Sequence, residues 1–151
     1  MEENRPMNFF RFEDLRIYHK TLDFVSWVYN ATKSFPDYAS VIRNDMIEAA
    51  QEITVNIAEG SGRTKNQFIY YLKMGRSSIR KSIVLITIAQ KEGLITDEQH
   101  EEAKNLLIEI SKMLGALISS LQRNKRGERS SSEEGEDDDD FEENNSGNEL
   151  I

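Results

Sequence analysis

Asn56, Glu59 and Arg63 stand beside Gly60 and Gly62 in the run Asn56-Ile57-Ala58-Glu59-Gly60-Ser61-Gly62-Arg63, where polar groups and hinge residues share eight positions. Two kinds of chemistry are open to such a cluster: capping and pairing that fix a turn, or contacts to a ligand. The residue types favour the first. Asn56 can satisfy a helix end, and Glu59 can pair with Arg63 locally or across a subunit boundary. Gly60-Ser61-Gly62-Arg63-Thr64-Lys65 lacks the strand, spacing and Gly-Lys-Ser/Thr ending of a phosphate-binding loop. A carboxylate-bridged di-iron centre needs two Glu-x-x-His motifs and two further inward glutamates. The nearest spacing is Asp97-Glu98-Gln99-His100, in a capping turn, with His100 expected at the surface; His19 is alone, and Glu48 with Glu52 lacks a third ligand. No serine has a base to activate it. The expectation is a non-enzyme without catalytic residues, metal or cofactor.

A second constellation is basic. Lys65, Lys73, Arg76 and Arg80 fall within an arc of about 80° at about 100° per helical residue, with Lys81 adjacent, and make a ridge of roughly 22 Å. Such a ridge can neutralise several phosphates and bind nucleic acid with salt dependence and little sequence preference. The plainer alternative is a solvated helix face with occasional ion pairs. Ile69 interrupts the arc, and Tyr70 and Tyr71 point away from it, so base stacking is not indicated.

These groups must be carried by helices. Between residues 13 and 126 the apolar spacing predicts four of them with short connections, an all-α up-down-up-down bundle. The first runs from about Glu13 to Ser34 on a stripe of Leu15, Tyr18, Leu22, Val25 and Tyr29, widened by Ile17, Phe24 and Val28; Phe35-Pro36-Asp37 ends it. The second, roughly Tyr38 to Glu59, places Ile42, Met46, Ala49, Ile53 and Ile57 on one face. Gly60 and Gly62 are expected to take positive φ where it stops. Thr64 and Gln67 have the form of a capping box opening a third helix, to about Glu92, with Phe68, Leu72, Gly75, Ile79, Ile83 and Ile86 inward. Gly93-Leu94 has the look of a Schellman ending. Thr96 to Gln99 is a second capping box, and the fourth helix follows on Ala103, Leu107, Ile110, Leu114, Leu117 and Leu121, ending near Arg123 to Arg126.

Charge divides the chain unevenly. Residues 1–126 carry 18 Lys/Arg and 16 Asp/Glu, whereas residues 127–151 carry 1 and 11, so a nearly neutral bundle precedes a strongly acidic tail. From 130 to 149 Phe141 is almost the only apolar residue, too little to offset the entropy of ordering, and disorder is expected there. The tail serves solubility or competes for a basic surface of its own chain. There are no cysteines and no apolar run near the roughly 20 residues of a membrane span. The N-terminus has no signal-peptide pattern, so a cytoplasmic setting is expected.

Helices one and three are apolar on more than the face a four-helix core needs. Trp27 lies off the first stripe, and Tyr71, Met74 and Leu85 lie off the third. Left in water they would form a patch of the kind soluble proteins use to meet a partner, and self-association is the expectation.

Several of these features also occur together in a known family. Phe12-Glu13-Asp14-Leu15 opens the first helix, and Val28-Tyr29, Thr32 and Phe35-Pro36 close it. Ala49-Ala50 leads to Asn56-Ile57-Ala58-Glu59-Gly60 and Gly62-Arg63, and Phe68, Leu72, Ser78, Ala89 and Gly93 follow. Over roughly Phe12 to Leu121 the chain resembles the four-helix-bundle proteins of the 23S rRNA intervening-sequence type, which include the accessory variability determinant of diversity-generating retroelements. The resemblance implies a non-enzymatic homo-oligomeric ring, typically a pentamer. In the accessory branch it implies a basic surface that meets a reverse transcriptase and RNA or DNA. The chain departs from the pattern at Ile47-Glu48, where members often carry two arginines, at Thr54, commonly proline, and at Lys81, commonly glutamate. Two functional classes follow: an oligomeric adaptor for nucleic acid or a reverse transcriptase, or a self-associating structural bundle that binds none.

Overall fold

The computed structural model describes residues 8–129. A 3-10 turn at Arg11–Asp14 leads into α1 (Arg16–Thr32), a second at Asp37–Ala39 leads into α2 (Ser40–Ser61), and α3 (Lys65–Lys91) and α4 (Asp97–Arg129) complete an all-α, up-down-up-down bundle. The expected disorder of the acidic tail falls, from residue 130 onward, outside the described residues. Helix α4 continues past the expected end at Arg123 to Arg126, through Arg129.

The helices pack in a closed circuit, α1 on α2, α2 on α3, α3 on α4 and α4 on α1, with the α2–α3 pair in closest and most extensive contact. Polar bridges also cross each side of the circuit. Gln51 Nε2 donates to the Tyr29 hydroxyl at 2.9 Å, Ser78 Oγ donates to Glu52 Oε2 at 3.2 Å, Thr87 Oγ1 lies 3.0 Å from His100 Nε2, and Lys20 pairs with Glu109 at 3.1 Å. His100, expected at the surface, is therefore half-buried between α3 and α4. Each bridge sits at the rim of its helix pair, where residual solvent limits its worth to about 1 kcal/mol or less. Stability comes from the core they enclose: Phe24, Met46, Ile53, Ile57, Leu72, Ile86, Ile110 and Leu114 are fully buried.

The inward face of α1 is rotated from the expected one. Ile17, Thr21, Phe24 and Val28 enter the core, while Leu22 and Tyr29 are exposed. The cause is Thr21, which contributes no apolar signal yet is fully buried because its hydroxyl donates to the Tyr18 carbonyl at 2.7 Å. A smaller shift of the same kind occurs in α3, where Ser78 and Ser82 are buried and Phe68 and Ile83 are only half-buried, and in α4, where Ile118 joins the core.

Both capping boxes form. Gln67 N donates to Thr64 Oγ1 and Thr64 N to Gln67 Oε1, each at 3.4 Å; the Thr96–Gln99 pair is tighter, at 3.1 and 2.9 Å. The Schellman ending of α3 is also complete: Gly93 has φ +72°, Leu94 N donates to the Ala89 carbonyl and Gly93 N to that of Gln90. The other two glycines correct the sequence reading. Gly60 is still helical, Gly62 has φ −88°, and neither takes positive φ. Gly60 is required by space instead: a Cβ there would sit 2.7 Å from Tyr71 Cβ and 2.8 Å from Phe68 Cδ2.

Candidate functional site

The turn from α2 to α3 gathers the polar cluster. Arg63 N donates to the Gly60 carbonyl at 3.0 Å, and Ser61 Oγ donates to that of Ala58 at 2.8 Å, which closes the helix end through backbone acceptors. Asn56 does not cap it; its Nδ2 donates one turn back to the Glu52 carbonyl at 2.9 Å. Arg63 and Glu59 pair within the chain, with Nε and Nη2 both donating to Glu59 Oε1, and the guanidinium lies 5.4 Å from the centre of the Tyr71 ring. The arginine pKa is raised, first by the hydrogen bond it donates to Glu59, then by Tyr71 and the charge of Glu59. Its charge is thus permanent at any pH the fold meets.

Facing this ion pair is a segment of aromatics. Phe9, Phe10 and Phe12 approach one another in sequence, with ring centres 5.2 and 5.6 Å apart, and Phe12 meets Tyr18 at 5.0 Å. Together with Val55, Ala58, Glu59 and Arg63, the three phenylalanines border an open cleft of about 860 Å³. A cleft with an apolar wall and an exposed ion pair can seat a side chain or helix end. The aromatic wall was not expected as part of a site; four aromatics within Phe9 to Tyr18 were the signal available for it.

Helix α3 is the second site. It carries six basic residues, Lys65, Lys73, Arg76, Arg80, Lys81 and Lys91, and no acidic one in 27 residues. Lys65, Lys73, Arg80 and Lys81 are exposed, and Arg76 is half-buried. Ile69, which shares their arc, turns into the core at 8% exposure, so the ridge is a flank of α3 bordering α4 rather than its outermost face. Thr87, on that flank, meets His100 of α4.

The outermost face of α3 carries a pattern that the sequence reading missed. Tyr70, Met74, Ser77, Lys81, Val84 and Ile88 recur at alternating spacings of four and three, the a/d rhythm of a helix seam, and Tyr70, Met74, Val84 and Ile88 are all exposed. A search for a second stripe beside the core stripe would have found it. The expected interface residues divide around it. Met74 lies on the seam and lines a groove of about 540 Å³ with Glu52, Val55, Asn56, Ser77 and Ser78. Trp27 and Leu85 are half-buried against the core, Trp27 stacked 6.3 Å from Phe24, and Tyr71 is half-buried beneath Arg63.

No helix among the described residues is long and apolar enough to cross a membrane. The family model of the 23S rRNA-intervening sequence protein matches residues 13–116, which takes in all of α1, α2 and α3 and most of α4. No curated protein matches the chain.

Proposed function

Since the chain belongs to the 23S rRNA-intervening sequence protein family, we propose that it is a non-enzymatic, self-associating bundle that holds nucleic acid, or a nucleic-acid enzyme such as a reverse transcriptase, on the flank of α3. The observation that supports this reading most is the division of α3 into two outer lanes. One is the seam of Tyr70, Met74, Val84 and Ile88; about 100° around the helix lies the acid-free basic flank of Lys73, Arg76 and Arg80.

The two lanes have different uses. The seam is apolar enough to drive assembly, and Lys81 within it is the kind of polar interruption that fixes register at a cost in stability. A copy seated on the seam leaves the flank at the rim of the assembly. Repetition around a ring, of which a pentamer is the form implied by the resemblance, then multiplies the positive field felt by a phosphate backbone. The outer face of α2 works in the same direction. Val41, Glu48, Val55 and Glu59 are exposed on it, so one protomer offers an acidic and apolar surface to the basic and apolar surface of the next.

Light scattering coupled to size exclusion tests the assembly, and anisotropy of labelled RNA and DNA at two salt concentrations tests the binding. Met74→Glu with Val84→Glu is expected to reduce the assembly to protomers while leaving helical content unchanged. Trp27→Glu reports whether α1 also takes part. Lys73→Glu with Arg80→Glu is expected to keep the assembly mass and to lower the salt slope of binding by about 0.7 per lost phosphate contact on single strands. A wild-type assembly that co-elutes with neither nucleic acid supports the self-associating structural bundle instead.

A further inference from the structure

We infer that an outer row of α2 receives the α3 seam of a second copy in one fixed register, with Glu48 paired to Lys81 of the partner subunit. The inference rests on the self-association proposed above and adds which residue meets which.

The acids of α2 are the first support. All four of them, Asp45, Glu48, Glu52 and Glu59, fall with Val41 and Val55 on one row at alternating spacings of four and three. The seam of α3 has the same rhythm, and it holds Lys81 and no acid. Val41, Glu48, Val55 and Glu59 are exposed, as are Tyr70, Met74, Lys81 and Ile88. Among the described residues neither Glu48 nor Lys81 has a hydrogen-bond or ion-pair partner. The two rows have opposite charge and equal length, about 27 Å at about 1.5 Å per residue. They flank one groove, which Val55 and Met74 line from its two sides.

Height along the bundle is the second. Within one protomer α2 and α3 run antiparallel. Glu52 meets Ser78, Gly60 lies against Phe68 and Tyr71, and Gly75 approaches Ile53 and Asn56, so residues in contact have numbers that add to between 128 and 131. Residues of α2 and α3 whose numbers add to about 129 are therefore at one level. For the row to meet a partner's seam along its full length, both bundles must lie nearly parallel to one rotation axis, and rotation about that axis leaves every residue at its own level. The register then follows without adjustment. Val41 meets Ile88 of the partner subunit, Glu48 meets the partner's Lys81, Val55 meets the partner's Met74 and Glu59 meets the partner's Tyr70, and the numbers of each pair add to 129.

Chemistry agrees with that register. An apolar pair stands on each side of Glu48 and the partner's Lys81, so the two charges meet where water is thinned from both directions. At the lower end Glu59 Oε1 takes both hydrogen bonds from Arg63, which leaves Oε2 for the hydroxyl of Tyr70 of the partner subunit. That ring arrives on the border of the aromatic cleft, to which the partner thus contributes a wall. Half-buried Asp45, opposite the partner's Val84, is the one mismatched level. A shift by one place along the rows, in either direction, breaks both apolar pairs and sets the partner's Met74 against a carboxylate, Glu52 or Glu59.

Two measurements on the full chain test this. In sedimentation over a concentration series, Glu48→Lys and Lys81→Glu are each expected to raise the concentration of half-dissociation at least about tenfold at low salt. An equimolar mixture of the two variants, and one chain carrying both changes, are expected to assemble close to wild type. The mixture separates pairing between chains from pairing across the groove of one chain, since each variant can be relieved only by the other. The sequence has no cysteine, so single cysteines report the register directly. Val55→Cys mixed with Met74→Cys is expected to give a covalent dimer on oxidation. Val55→Cys mixed with Val84→Cys is expected to give none, because position 84 lies about 15 Å further along α3, beyond the span of about 7 Å that a disulfide bridges. An assembly that neither reversal weakens, a mixture that stays dissociated, or a dimer through position 84 and not 74 overturns the register and leaves self-association standing. A wild-type chain that remains a single protomer over the whole series overturns both.

Discussion

The two turns that flank α3 use the same sequence grammar, a glycine followed by a Thr-x-x-Gln capping box, for opposite physical reasons. At the α3–α4 turn Gly93 is needed for its backbone, with φ +72° and nothing within 4 Å of where a Cβ would point. At the α2–α3 turn Gly60 is needed for its absent side chain, since the start of α3 packs onto it at 2.7 and 2.8 Å. The first turn is a compact connector. The second brings two helices together so tightly that its polar residues, Glu59 and Arg63, are displaced outward to the edge of an aromatic cleft. A glycine that answers to packing frees the surrounding turn for surface chemistry; one that answers to φ only ends a helix.

Substitution by size and by φ separates the two. Substitution at Gly60 is expected to cost the most: for Gly60→Ala about 1–3 kcal/mol from overpacking, offset by up to about 1 kcal/mol of helix propensity, as read by urea unfolding. Gly60→Asn is expected to cost more still. Gly93→Ala is expected to cost about 1 kcal/mol through the left-handed backbone, and Gly93→Asn to recover much of it. If Asn rescues position 60 and not 93, the contrast drawn here is reversed.

The caps give the next effect. Thr96→Ala is expected to cost about 1 kcal/mol and Thr64→Ala less, because the hydrogen bonds at Thr96 are shorter. Equal losses would mean that the two boxes carry the same share of their turns. The smallest effect is expected for Arg63→Gln. Its ion pair is exposed and screened by solvent, so protomer stability should fall less than for either cap. Raised above the ordinary arginine range, the folded-state pKa of Arg63 gives a contribution complete below the unfolded value and lost only as pH rises through the folded one. Wild type and Arg63→Gln should therefore differ by a constant amount from about pH 5 to about pH 9 in unfolding experiments. A difference that varies over that interval would point to another titrating group coupled to the pair.

Much of the helical plan was legible along the chain because its signals are local. Capping boxes act over four residues, the Schellman glycine over six, and the core stripes of α2 and α4 repeat within a turn or two. The face of α1 was misplaced by Thr21, whose hydroxyl is satisfied inside its own helix, so a polar letter stands at a buried position. Where the candidate residues lie was legible only in part. Lys73, Arg76 and Arg80 do share a flank, whereas Ile69 leaves it for the core, and Trp27 and Leu85 rest partly on the core rather than outside it. The a/d seam of Tyr70, Met74, Val84 and Ile88 was written in the sequence but shadowed by the stronger core stripe on the same helix.

By itself the sequence determined the number of helices, where α3 and α4 begin, and the acid-free character of α3, since these depend on residue type and on neighbours a few positions away. Only the tertiary structure decided which face of α1 is inward, why Gly60 is glycine, and that the basic flank borders α4 while an apolar seam faces outward. Those outcomes depend on contacts between residues far apart in the chain, such as Gly60 with Tyr71 across a turn or Thr87 with His100 across a helix pair, and no local pattern encodes the distance between two packed helices.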